Sequence, residues 1–192
     1  MEKTDEQLMH DYQSGKNEAL AMIFERYKIS ITNFCLRLLA NRADAEEAAG
    51  DCFLALLDTH YAYTPEAKFS TWLYTIARNK CISQIRKRRN LISLWFTSEE
   101  SADTDSWAVP DTRDLSRDEL IQKETNAAVS LALTKLPYEQ REAIVLSQYN
   151  GFSYREISEI LNCSVDKVKI LLFRAKERLR VELASFVKED IR

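Results

Sequence analysis

Between Lys68 and Arg89 the chain carries seven basic residues and no acid, with Trp72, Thr75, Asn79 and Ser83 recurring at three- and four-residue spacing. On a helix those four share one face. An indole ring can stack on an unpaired base, an amide can pair with a base edge, and the cations can hold a phosphate backbone. Leu73, Ala77, Cys81 and Ile85 form a second ridge, at i, i+4, i+8 and i+12, that can pack inward. A plainer reading puts Trp72 and Tyr74 in the core and leaves Arg86–Arg89 to complement the helix C-terminal dipole.

A second group lies near the C-terminus. Ser153-Tyr-Arg-Glu156 is a capping-box pattern that starts a helix. Asn162 is one of the few residues that tolerates the left-handed turn ending it, and Ser164 can cap the helix that follows. Short helix, tight turn and second helix make the unit that reads a DNA major groove. At about 100° per residue, Val165, Val168, Leu172, Ala175, Leu179 and Leu183 fall within an arc of about 80°, the expected buried stripe. Lys167, Ile170, Leu171, Arg174 and Arg178 fall opposite. A basic face backed by an apolar one suits phosphate contact with base-edge reading, and Ile170 and Leu171 could touch thymine methyls.

A third feature is acidic. Asp44, Glu47, Asp51 and Asp58 lie within about 60° of one another on a helical wheel, with Leu54 among them. Like charges so placed oppose the helix, so the stripe is better explained as a docking face for a basic partner with Leu54 as apolar anchor. A plain solvated face is the alternative. Gly50, within the same helix, costs about 1 kcal/mol relative to Ala with no local benefit in view.

The elements that must position these groups are helical. Apolar periodicity predicts helices over 17–40, 44–59, 69–90, 120–135, 138–149, 153–161 and 164–187. Three glycines and three prolines in 192 residues are too few for the turns of an all-β chain, and no glycines lie close enough for a phosphate loop. The net charge of −3 hides a division. Residues 1–90 and 126–192 are nearly neutral, whereas 91–125 hold nine acids against three bases. That acidic stretch has linker composition. The expected fold is all-α, two small helical domains over 1–90 and 126–192 joined by an acidic linker. Cys35, Cys52, Cys81 and Cys163 are far apart and predict free thiols in a reducing cytoplasm; no metal or cofactor site is expected. No segment is long and apolar enough to insert in a membrane, and the N-terminus lacks a signal-peptide pattern.

Taken together and in order, these stretches resemble the extracytoplasmic-function (ECF) sigma factors of the sigma-70 family, small two-domain initiation factors of bacterial RNA polymerase. Asp44-Ala-Glu-Glu-Ala-Ala-Gly-Asp-Cys-Phe53 resembles the polymerase-binding helix of region 2. Phe69-Ser-Thr-Trp-Leu-Tyr-Thr-Ile-Ala-Arg-Asn79 with Ile85-Arg-Lys-Arg-Arg89 resembles its −10-reading helix. Leu136-Pro-Tyr-Glu-Gln-Arg-Glu142, Gly151-Phe-Ser-Tyr-Arg-Glu-Ile157 and the run Val168–Leu179 resemble region 4.

The resemblance implies roles. Asp44, Glu47, Asp51 and Leu54 would dock on the β′ clamp helices of core RNA polymerase, and region 4 would meet its β flap. Lys68, Trp72, Thr75, Arg78, Asn79 and Arg86, with the loop 61–68, would open the −10 element and hold a flipped base. Arg155, Lys167, Lys169, Ile170, Leu171 and Arg174 would contact the −35 element. The acidic linker would thread the RNA channels of the polymerase and mimic RNA charge, or serve as a plain tether. An anti-sigma partner is also implied. Three positions depart from the family pattern: Gly50 replaces the usual Gln, Ser83 a common Asp, and Asp166-Lys-Val-Lys-Ile-Leu171 the usual Gly-Thr-Val-Lys-Ser-Arg. Losing that Arg to Leu171 predicts an unusual or weakened −35 preference. A ligand-sensing helix-turn-helix regulator and a sigma-like adaptor that melts no DNA remain as alternatives; an enzyme is disfavoured, since no nucleophile or paired-carboxylate pattern occurs.

Overall fold

The computed structural model describes residues 3–65, 67–95 and 117–189. Among them the regular elements are eight α-helices and one short 3-10 turn: α1 Asp5–Gln13, α2 Asn17–Leu39, α3 Arg42–Thr59, the turn His60–Ala62, α4 Phe69–Trp95, α5 Arg117–Thr134, α6 Tyr138–Gln148, α7 Tyr154–Leu161 and α8 Val165–Glu189. The expected all-α class is the one observed. The chain divides into two compact units, Met1–Asp105 and Ser106–Ser158 with Cys163–Arg192, the stretch Glu159–Asn162 being grouped with the first. The expected linker is narrower than its composition implied: α4 runs on to Trp95 and α5 begins at Arg117, so helix enters 91–125 from both sides. Phe96, Trp107 and most of the acidic stretch lie outside the described residues.

The first unit is organised by α3. Its inner face is built from Ala45, Ala48, Ala49, Cys52 and Leu56, all buried, and such small side chains let α2 and α4 approach closely. α2 contributes Ile23, Ile31, Phe34, Cys35 and Leu38; α4 contributes Phe69, Leu73, Tyr74, Ala77 and Cys81. Leu73, Ala77 and Cys81 of the predicted inward ridge are therefore core, as is Tyr74, whose ring lies edge-on to Phe34 at 5.1 Å. Burial raises the Cys52 thiol to about 12, so it stays protonated. Phe24 of α2 is exposed and rests edge-on against Phe53 at 4.8 Å.

Sequence periodicity missed α1, nine residues capped by a box between Thr4 and Gln7. Tertiary contacts make up for its short length. Leu8 and Met9 are fully buried, and Asp5 accepts hydrogen bonds from Tyr27 (2.5 Å) and Arg26. Gln13 Nε2 donates to the carbonyls of His60 (2.8 Å) and Tyr63 (3.0 Å), tying α1 to the segment before α4.

In the second unit α8 packs on α5 and α6. Val168, Leu172 and Ala175 of the predicted stripe are buried, along with Ala143–Leu146 of α6 and Ile157 of α7. Arg141 reaches from α6 to the end of α5, donating to the carbonyls of Thr134 (2.5 Å) and Leu136 (3.2 Å). Its guanidinium thereby satisfies carbonyls that a helix C-terminus leaves open.

Candidate nucleic-acid interfaces

The helix-turn-helix is assembled by the local signals read from its sequence. Ser153 Oγ accepts the Glu156 amide at 3.3 Å, and the Glu156 carboxylate accepts the Ser153 amide at 2.8 Å, completing the capping box at the start of α7. Asn162 has φ 50°, the left-handed conformation that ends α7. Ser164 Oγ then accepts the Lys167 amide at 3.2 Å and caps α8. With both ends defined and one side buried, the outward face of α8 is held rigidly.

That face carries Lys167, Lys169, Ile170 and Arg174, all exposed, and Arg155 is exposed on α7. Lys167 pairs with Glu139 of α6 at 3.1 Å and Lys169 with Asp166 at 2.9 Å. Both pairs are exposed, so a phosphate can displace either carboxylate at small cost. Leu171 does not belong to this face. It is only 7% exposed, packed with the core at the edge of the buried stripe. On the wheel Leu171 lies only about 40° beyond Ala175, the edge of the expected stripe, and the real core is wide enough to include it. The Arg usual at this position is thus replaced by a packing residue, which contradicts a direct base contact here. Phe173, 69% exposed and one turn from Ile170, was overlooked although the wheel already placed it outward.

On α4, Trp72, Thr75, Asn79, Ser83 and Arg86 share the outward side, with Arg78 half-buried on its flank and Lys68 exposed at the helix start. Trp72 is neither core nor free. Its ring lies 5.3 Å from Tyr63 and 6.0 Å from Phe69, and Phe69 in turn contacts Tyr27 and Tyr63 at 5.7 Å each. Such tilted contacts fix the indole while leaving part of it accessible. Thr75 and Ser83 donate to carbonyls four residues back, at 2.8 and 3.0 Å, so their hydroxyl protons are already used.

The acidic stripe on α3 is partly answered within the chain. Glu47 accepts Lys87 of α4 at 3.0 Å, and Arg88 stands 3.9 Å from Asp44. Hydrogen bonds from Gln84 and Lys87 hold the Glu47 carboxyl below its ordinary range, and the same bond raises Lys87. Asp51 and Leu54 therefore form the more available part of the predicted docking face. Leu54 is 59% exposed, and exposed Leu57 and Tyr61 extend its apolar line, a continuation the charge pattern did not reveal. Gly50 meets nothing within 4 Å where a side chain would stand, so no packing demand explains it. Cys35, Cys52 and Cys81 are buried and Cys163 is half-buried, none of them in a disulfide; among the described residues no group of three or more His, Cys, Asp or Glu could hold a metal, and no helix is long and apolar enough to cross a membrane.

Comparison with known proteins gives one consistent answer. The family models for Sigma-70 region 2 and Sigma-70, region 4 match residues 23–91 and 126–179. The chain is 33% identical over 188 residues to the ECF RNA polymerase sigma factor SigW of Bacillus subtilis, spanning 95% of this chain and 98% of that protein. It is 30% identical over 185 residues to the RNA polymerase sigma factor CarQ of Myxococcus xanthus, spanning 96% and 100%. Its fold resembles that of CnrH solved with the cytosolic domain of CnrY, at a TM-score of 0.70 and 21% identity over 95% of this chain and 99% of that one. It also resembles the sigma factor RpoE solved with the anti-sigma factor NepR from Bartonella quintana, at 0.68 and 24% over 85% and 96%. Two region models in the expected order and end-to-end likeness to such relatives establish that this chain is a member of the ECF sigma-factor family.

Proposed function

We propose that this protein binds core RNA polymerase in the cytoplasm, directs it to promoters and helps open them, catalysing no reaction of its own. The observation that carries the reading is the pairing, in one chain, of a capped helix-turn-helix with an aromatic–amide–cation face on α4. The first suits duplex DNA and the second suits unpaired bases. In this reading residues 1–90 bind polymerase and open the −10 element, 91–125 connect, and 126–192 meet the −35 element. Asp51 and Leu54 carry most of the polymerase contact, with Asp44 and Glu47 exchanging α4 partners for basic groups of the β′ clamp helices. Trp72 and Asn79 receive a flipped base, supported by Lys68, Thr75, Arg78 and Arg86, while Arg155, Lys167, Lys169, Ile170 and Arg174 face the −35 duplex. An anti-sigma factor that covers one or both faces is the expected regulator. Residues 1–90 and 126–192 are each close to electrically neutral, which fits dependence on polymerase for tight DNA binding.

Run-off transcription with core polymerase and a genomic promoter library, with and without the protein, tests this. Protein-dependent transcripts sharing −35 and −10 elements are expected. Trp72→Ala or Asn79→Ala should lower promoter opening about tenfold or more, the loss of roughly 1–3 kcal/mol of base contact, while core binding stays unchanged. Duplex binding by the chain alone with no polymerase binding would overturn the proposal.

A further inference from the structure

Ile170 is a β-branched apolar residue in the second turn of α8 and remains 50% exposed, beside Phe173 at 69%. Neither position gains from burial within the chain, and a β-branched residue gives a helix no intrinsic benefit there. The cations Lys167, Lys169, Arg174 and Arg178 are exposed around the pair. The acids on this side, Asp166 and Glu177, are each engaged, with Lys169 at 2.9 Å and with Arg180 at 3.4 Å. An apolar contact ringed by cations, on the helix whose capped N-terminal end would enter a major groove, fits duplex DNA better than a neutral protein surface. The group that the major groove offers to an aliphatic side chain is the C5-methyl of thymine.

We propose that Ile170 reads the −35 element by apolar contact with thymine methyl groups, with Phe173 extending the apolar surface and Lys167, Lys169 and Arg174 holding the flanking phosphates. The inference rests on the sigma-factor reading above and names the chemistry by which this chain selects its upstream element. With Leu171 turned into the core, sequence preference in the first turns of α8 passes from a guanidinium to a methyl-reading side chain. The preferred element is then one whose thymines cannot be exchanged for bases lacking that methyl.

Replacing thymine by deoxyuridine tests this directly, because it removes the methyl and leaves base pairing and groove hydrogen-bond groups in place. The experiment uses the full chain with core polymerase on a promoter that supports protein-dependent transcription, each −35 thymine being replaced in turn. One or two replacements should weaken promoter binding about fourfold each, equivalent to about 0.8 kcal/mol for one buried carbon. Ile170→Ala should bind the thymine promoter more weakly and be insensitive to the same replacements, and Ile170→Val should be intermediate. Val181→Ala, at another exposed apolar position of α8, should keep the full uracil effect. No uracil effect at any −35 thymine, an undiminished effect in Ile170→Ala, or loss of core binding in that variant would overturn the proposal. Absence of any protein-dependent transcript would instead refute the sigma-factor reading itself.

Discussion

In the N-terminal unit, the residues proposed to meet nucleic acid rest on the same side chains that hold the fold together. Trp72 leans on Tyr63 and Phe69, Phe69 is fully buried against Tyr27, and the loop before α4 hangs from Gln13 of α1. In the C-terminal unit the two tasks are separated. α8 is fixed by its cap and buried stripe, and its cations and Ile170 project from the opposite side without supporting the core. The charges do not divide in this way. Asp44 and Glu47 of α3 pair with α4, linking the proposed docking face to the base of the proposed DNA-facing helix, and on α8 the Lys169–Asp166 pair is local while Lys167–Glu139 ties the helix to α6. A face that shares the core is placed accurately but cannot vary without affecting stability. A face mounted on an independently fixed helix can change its preference at little structural cost, and the departures from family pattern at 166–171 lie on such a helix.

The largest effect that tests this comparison is Phe69→Ala. Losing a buried phenyl ring should cost about 3–5 kcal/mol. Chemical denaturation should show destabilisation of the N-terminal unit together with loss of promoter opening; opening that survives such destabilisation would break the supposed sharing of core and site. Next is Leu171→Arg, which restores the family's usual residue. Because Leu171 is buried, the change should destabilise the C-terminal unit by about 1.5–3 kcal/mol rather than simply sharpen −35 selection, as a melting curve of the full chain will report. Gly50→Ala should raise stability by about 1 kcal/mol, since a helix-interior glycine with open space around it gains from a methyl. A concurrent fall in core-polymerase affinity would identify the bare backbone at Gly50 as part of the docking contact.

The smallest effect belongs to Glu47 and Lys87. Glu47 titrates below its ordinary 4.5 in the folded protein and Lys87 above its ordinary 10.5. Their contribution to stability should be complete between those values, fall as pH drops through the lowered Glu47 range, and fall again as pH rises through the raised Lys87 range. Both side chains are exposed, so a Glu47→Gln and Lys87→Met double-mutant cycle should show weak coupling that high salt abolishes. A salt-resistant coupling would make the α3–α4 tie a stronger link between docking and DNA binding than its exposure implies.

Local chemistry was legible wherever neighbours in sequence settle the outcome. The capping box at Ser153, the left-handed Asn162 and the Ser164 cap depend on spacing within a turn or two, and the structure places each as read; of the expected ridge Leu73, Ala77, Cys81 and Ile85, the first three are buried and Ile85 is half-buried. What distance in sequence controls was not legible. α1 is too short to announce itself by periodicity and owes its place to Tyr27, His60, Tyr63 and Phe69, which lie 22 to 63 residues from their partners on α1. The Asp44 and Glu47 pairs required knowing that α4 returns alongside α3, and the burial of Leu171 required knowing how wide the core behind α8 is. The sequence by itself determined the helices other than α1, the caps of α7 and α8, the order of the two regions and which faces carry charge, because these follow from periodicity and short-range hydrogen bonding. Only the tertiary structure decided which charges are already answered, which apolar residues remain outside, and that the segment before α4 is tied to α1, because burial and pairing are properties of surfaces brought together from distant parts of the chain.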